Sequence, residues 1–410
     1  LRKTDRQQGR VTQWWQPRDI RATRGDSFCE RAPRASHPLV MPAFSLAPAL
    51  SLLAAFRRAS PVRPLHTFVR TTEEKFRPRQ LLPHEPAEQH ARAAVLARSA
   101  TGPHASATVL RERGRGRVPT IVLGGFVPDA TEQVFLLRRF FLRAGDLYYF
   151  NYPRQGFSLD LACAQLDDLV AELVAAGQPP VIFAVSFGAG VAIEWLRRAR
   201  LAGTSAALAG LVLVSPVGCV EDLLAPGAAK PGTLLGRAIK PYFDHVTTNE
   251  AAVEKSRVIF ARMFEAGAQN KAALRALMSP AELTGLRDAV MGAIRGITPT
   301  GASERVRAMR TMIPPTTYFS QALLPLSEAP ALVLFAERED AVIDARSPTR
   351  FAFESAHRAY FPRGRVQTIA ALPGGAPVQH ASLIFHVFEF LPPLSQFYAR
   401  LRPEPLRSAA

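Results

Sequence analysis

Cysteine is scarce in this chain. Cys29, Cys163 and Cys219 are the only three in 410 residues, and they share no spacing. They supply neither a disulfide framework nor a zinc pattern, which argues against metal chemistry through sulfur. Acidic residues are the scarcer charge, 34 against 51 Lys+Arg, for a net charge of +17. The basic excess lies in the first 118 residues, with 22 Lys+Arg against 9 Asp+Glu; the remainder is nearly balanced at 29 against 25. No aromatic or base-reading pattern accompanies this charge on a predicted element, so a nucleic-acid partner is not expected. There is no internal repeat. The apolar stretch from Leu39 to Phe56 is interrupted by Pro42 and Pro48 and runs into Arg57-Arg58, which argues against a membrane-spanning helix. What the chain does have is an ordinary globular composition, 48% apolar and 21% charged, enough for a full core.

Residues 1–40 are rich in Arg, Gln and Pro without periodicity. We expect them to be disordered, and Met41 is a candidate start. Residues 1–56 are read as a leader and no membrane contact is expected. A cytoplasmic location is the first expectation, and export is the alternative if the segment from Met41 acts as a signal peptide.

Beyond the leader, a helix is predicted over Pro86–Ser99. Ala107–Glu112 alternates like a strand, Arg113–Arg117 supplies a turn, and Thr120–Leu123 is a short apolar strand, so a hairpin is expected there. Strands then alternate with helices: helix Thr131–Ala144, strand Leu147–Asn151, helix Asp160–Ala176, strand Val181–Val185, helix Gly188–Leu201 and strand Leu211–Val214. The strands Ala331–Phe335 and Val366–Ala371 come later, followed by a helix over Ala381–Phe390. Short apolar strands between amphipathic helices indicate an α/β fold with a mainly parallel sheet covered on both faces. Between Val214 and Ala331 only helical stretches are read, at Thr233–Phe243, Asn249–Ala266, Lys271–Met278, Pro280–Arg295 and Ala302–Met312. That length is too great for a structureless loop, and a helical subdomain is expected.

Four segments could carry chemistry. Val181–Val185 runs into Ser186-Phe-Gly188 and a helix, with Ala184 and Gly188 flanking the serine at two residues on either side. A serine at such a turn needs small neighbours because strand and helix approach closely there. Upstream, Ile121-Val-Leu ends in Gly124-Gly-Phe126. Downstream, Ala331–Phe335 ends in an acidic cluster, with Asp340 the first choice of acid and Glu339 and Asp344 its competitors. Finally, His380 lies in a Gly/Pro-rich loop after the last strand. His386 falls within the predicted closing helix and His357 precedes the strand.

Taken in order over residues 105–400, these motifs resemble the α/β-hydrolase family, in its serine esterase and lipase-like branch, with Ala184 in place of the usual first glycine of the nucleophile elbow. The resemblance implies an α/β-hydrolase fold with a helical cap and a Ser186-His380-Asp340 triad. It also implies backbone donors from Phe126 and Phe187 for an oxyanion, and neither cofactor nor metal. Asn151–Ser158 resembles the family's stretch after the next strand, with Asn151 where Asp is usual, and is given a structural role. The expected division is a leader at 1–56, core at 57–216, cap at 217–326 and core at 327–410. Hydrolysis of small-molecule carboxylic esters with an apolar part is the first expectation. It draws on apolar cap residues such as Tyr242, Phe243, Phe260, Met263, Phe264, Met309, Met312, Tyr318 and Phe319. A thioesterase or carbon–carbon bond hydrolase is the alternative within the fold, and a non-catalytic binding protein the alternative outside it. Oligomeric state is left open.

Overall fold

The computed structural model describes residues 81–98, 102–224, 230–242, 250–267, 274, 277–372 and 374–401. All of them belong to one unit, Ala47–Ala410. The leader at 1–56, and most of the helix expected at Lys271–Met278, lie outside the described residues.

Eight strands form one sheet: β1 (Leu82–Pro83), β2 (Thr108–Glu112), β3 (Thr120–Leu123), β4 (Leu147–Asn151), β5 (Val181–Val185), β6 (Gly210–Val214), β7 (Ala331–Ala336) and β8 (Gly364–Ile369). Their order is β1-β2-β4-β3-β5-β6-β7-β8. β1 and β2 run antiparallel to their neighbours, and every pairing from β4 to β8 is parallel. Every residue of β3, β5, β6 and β7 is buried. That is the expected consequence of continuous apolar strands lying between two helical layers. Their side chains divide with period two. Ile121, Leu123, Ile182, Ala184, Leu211 and Leu213 join the core on one face, while Val122, Phe183, Val185, Val212 and Val214 join the core on the other.

The hairpin expected between Ala107–Glu112 and Thr120–Leu123 does not form. β2 pairs with β4, and β4 separates it from β3. The short connection favours pairing of sequence neighbours, but β3 is already paired on both sides by parallel strands, so β2 can join only beyond β4.

The helices are α1 (His90–Arg98), α2 (Ala130–Gln133), α3 (Arg138–Ala144), α4 (Leu159–Ala175), α5 (Phe187–Leu201), α6 (Leu234–Ile239), α7 (Glu250–Gly267), α8 (Pro280–Gly296), α9 (Pro299–Thr311), α10 (Pro348–Tyr360) and α11 (Val387–Leu401). Polar caps start several of them: Ser158 accepts from Leu161 N–H, Ser279 and Glu282 form a reciprocal capping box, and Thr298 accepts from Gly301 N–H. The single helix expected over Thr131–Ala144 is broken into α2 and α3. The closing helix also starts later than expected, because 381–386 is a run of turns that begins with Ala381 at φ 49°. It continues through Pro392 and Pro393, with Phe390, Leu394, Phe397 and Tyr398 burying one face.

Between β6 and β7 the chain forms α6 to α9, with no strand among the described residues. Asp222 fastens the beginning of this insertion to the loop after β7. Its carboxylate accepts from the N–H groups of Gly218 and Cys219 on one side, and from Ser347 O–H and Thr349 N–H on the other. Among the described residues no helix is long and apolar enough to cross a membrane.

Candidate active site

Ser186 stands where β5 meets α5, at φ 52° and ψ −116°. Few L residues adopt that conformation, and here the neighbours enforce it. Ser186 N–H donates to Val214 O at 2.9 Å, and Ser186 O accepts from Ala189, Gly190 and Val217 N–H. A side chain at Gly188 would be driven into the carbonyl oxygen of Gly124, and one at Gly190 into that of Val217. The small residues around Ser186 are therefore set by backbone-to-backbone contact at the ends of β3 and β6.

His380 reaches this serine from the loop after β8. Its Nε2 lies 2.9 Å from Ser186 Oγ, and its Nδ1 lies 2.5 Å from Glu339 Oε2. A carboxylate can only accept, so Nδ1–H donates to Glu339 and Nε2 is left to accept from the serine hydroxyl. The His380 loop is held in place by several contacts. Arg338 N–H donates to Val378 O at 2.9 Å, and Ala381 N–H donates to Ser215 Oγ at 3.2 Å. Buried His386 lies 3.0 Å from Ser382 Oγ and 3.1 Å from Ala376 O.

The acid on the histidine is Glu339, one residue before Asp340. Glu339 is 3% exposed, whereas Asp340 lies on the surface. β7 extends to Ala336, and the turn that follows directs Glu339 inward. Its Oε1 accepts Ala336 N–H at 2.6 Å, and its carbonyl accepts from Val342 and Ile343 N–H. The Asp340 assignment is corrected accordingly. Asp344 faces elsewhere, with its N–H on Asp222 O and its carboxylate accepting from Arg346 N–H.

The loop after β3 passes beside the serine: a carbon added at Gly125 would lie 3.6 Å from Ser186 Cβ. This loop is tied down at three points. Gly125 N–H donates to Gln133 Oε1 at 2.7 Å, Ala130 N–H donates to Asn151 Oδ1 at 3.0 Å, and Phe126 O accepts from the Arg305 guanidinium. Neither Phe126 N–H nor Phe187 N–H donates a hydrogen bond among the described residues. The Asn151 contact agrees with its expected structural role. Gln133 and Arg305 carry no sequence signal of their own.

The insertion contributes aromatic rings at this end of the sheet. Phe260 of α7 stacks on Phe126 at 5.8 Å, and Phe264 packs against Phe385 at 5.4 Å. Met309, Met312 and Tyr318 are buried in the core, Met263 packs against it, and Phe319 is exposed. Phe243 lies outside the described residues. The two described cysteines do not compete as nucleophiles, because burial raises the Cys163 thiol to about 12 and Cys219 further still.

No known family profile and no curated protein sequence matches this chain. Solved structures do. A membrane phospholipase A described as a bacterial virulence factor aligns with 87% of this chain and 96% of its own, at 15% identity and a TM-score of 0.50. A thermophilic esterase from Thermogutta terrifontis aligns with 79% of this chain and all of its own, at 14% identity and a TM-score of 0.49. MenH from S. aureus aligns with 72% and 99%, at 14% identity and a TM-score of 0.48. The eight-stranded, mostly parallel sheet and its flanking helices show that this chain has the α/β-hydrolase fold.

Proposed function

We propose that the protein is a serine hydrolase that cleaves small carboxylic esters through Ser186, His380 and Glu339. The observation that carries this reading is the continuous chain from Ser186 Oγ to His380 Nε2, and from His380 Nδ1 to buried Glu339. In acylation, His380 Nε2 takes the hydroxyl proton as Oγ attacks the ester carbonyl. The imidazolium then returns that proton to the leaving alcohol, which departs as the acyl-enzyme forms. Water repeats the cycle in reverse roles and releases the acid. Glu339 keeps the imidazole in the required tautomer and stabilises its charged form. The carbonyl oxygen becomes negative in each tetrahedral intermediate, and Phe126 and Phe187 N–H are free to donate to it. Phe187 N–H lies in the first turn of α5, where the helix dipole also favours negative charge.

The segment 217–326 is proposed as a cap that selects substrates. Phe260 and Phe264 support this, since they pack against the Gly-Gly-Phe loop and the segment after His380 and so present apolar surface near the serine. Substrates with an apolar acyl or alcohol part follow from that lining.

The test is hydrolysis of nitrophenyl esters graded from acetate to palmitate. Wild-type protein should turn over some members of the series, and Ser186→Ala and His380→Ala should each lose turnover by at least about 10⁴-fold while remaining folded. Folded wild-type protein that hydrolyses none of them would fit a non-catalytic binding protein and contradict the reading.

A further inference from the structure

Among the described residues, Arg305 of α9 is a fully buried cation with no carboxylate on it. It is 3% exposed, and its guanidinium donates to three backbone carbonyls: Phe126 O through Nη1, and Pro153 O at 2.9 Å and Tyr152 O at 3.5 Å through Nη2. Its Cζ also lies 5.6 Å from the Phe126 ring centre and 5.7 Å from that of Tyr152. Nε is buried without an acceptor among the described residues. Asp129, the acid that acts on it electrostatically, is already paired with Arg154 at 2.5 Å. Burial accordingly pulls Arg305 down to about 10. An apolar side chain could fill such a place without desolvating a charge, so its bonding pattern asks for an explanation beyond packing.

We propose that Arg305 is a positioning residue that sets the direction of Phe126 N–H toward the oxyanion formed at Ser186. This inference rests on the serine-hydrolase reading. The residues on either side of that N–H are held by different partners. Gln133 accepts from Gly125 N–H, while Arg305 takes Phe126 O and lies against its ring, which also contacts Phe187 at 5.7 Å. With the preceding amide, the carbonyl and the ring of Phe126 all fixed, its own N–H has little freedom left. A donor aimed before reaction stabilises the intermediate without reorganising. Because Arg305 comes from the insertion and Phe126 from the sheet, docking of α9 and completion of the donor pair become one event. The same helix is anchored separately at its N-terminus, where Thr298 N–H and O–H donate to Arg154 O without touching Phe126.

The experiment compares Arg305→Met, Arg305→Lys and Thr298→Ala in the full chain, using a short nitrophenyl ester and a trifluoromethyl ketone. Serine adds to that ketone to give a stable oxyanion. Arg305→Met should lower kcat by about 10²-fold, the scale of one lost oxyanion donor, with KM changed less than about twofold. Affinity for the ketone should fall in proportion to kcat. Arg305→Lys keeps the charge but cannot span the carbonyls as a planar fork, and should lose about tenfold in both. Thr298→Ala should lower the melting temperature and leave kcat within about twofold. Should Arg305→Met fail to fold, Arg305→Lys decides by the same parallel loss in kcat and ketone affinity. Three results would each overturn the proposal: folded Arg305 variants with wild-type kcat, unchanged ketone affinity, or a kcat loss in Thr298→Ala matching its loss of stability. Wild-type protein that neither turns over esters nor takes up the ketone would defeat the serine-hydrolase reading itself.

Discussion

Strain and burial are concentrated on a few side chains at the serine. Holding Ser186 at φ 52° costs on the order of 1–3 kcal/mol, offset by the hydrogen bonds that close on its backbone from β6, α5 and Val217. The acid offers the sharpest test at this scale. Glu339→Gln should lower kcat by about 10⁴-fold, because an amide no longer imposes the tautomer that leaves Nε2 free to accept. Asp340→Asn, a change on an exposed side chain, should alter kcat less than about twofold. Steady-state kinetics of the two variants on one short ester checks both, and the reverse ranking would return the role to Asp340. The spacing of the sequence narrowed the acid to three neighbours and put Asp340 first, whereas His380 Nδ1 lies on Glu339. That choice depends on β7 continuing to Ala336 and on the direction of the turn after it, neither of which is a property of residue type. Arg305 was wholly illegible for a related reason. It sits in a helix that also carries Arg307 and Arg310, and reads as one more solvated arginine until α9 is seen to dock against the Phe126 and Tyr152 carbonyls.

At the scale of elements, close approach of backbones fixes residue size. Gly188 is required because α5 begins against the carbonyl oxygen of Gly124, so Gly188→Ala must push α5 away from β3. We expect a stability loss of about 1–3 kcal/mol in chemical denaturation, together with reduced turnover, since Ser186 and Phe187 move with the helix start. An unchanged denaturation midpoint would show that the elbow tolerates a wider separation. The insertion should behave differently. Phe260→Ala and Phe264→Ala should shift the preferred ester chain length while leaving the best short ester within about threefold of wild type, because both rings contact the site's loops without bonding the triad. Profiles across the acetate-to-palmitate series check this, and an equal loss on every ester would make these rings structural. The central strands were readable because they are unbroken apolar runs bounded by turn residues. The partner of β2 was not, because strand pairing is decided between segments far apart in sequence: β4 is inserted beside β3 only when the whole sheet assembles.

For the whole molecule, the sheet collects residues that are nearly two hundred positions apart. Ser186, Glu339 and His380 follow β5, β7 and β8, and all lie at the C-terminal end of parallel strands, where open α/β sheets bind ligands. Chain order was legible for that reason, since each chemical residue follows a recognisable strand. Asp222 ties the start of the insertion to the start of α10, with four donors on one buried carboxylate. Asp222→Ala should therefore cost at least about 3 kcal/mol, as several buried donors lose their acceptor at once. Equilibrium unfolding in urea measures it, and a loss under about 1 kcal/mol would mean that the loops find other partners.

Nucleophilic attack by Ser186 is tested by covalent trapping with a fluorophosphonate, followed by peptide mass spectrometry of the adduct. A single adduct is expected on the peptide carrying Ser186, absent in Ser186→Ala and formed far more slowly in His380→Ala and Glu339→Gln. Folded wild-type protein that forms no adduct, or forms it on another residue, would contradict it.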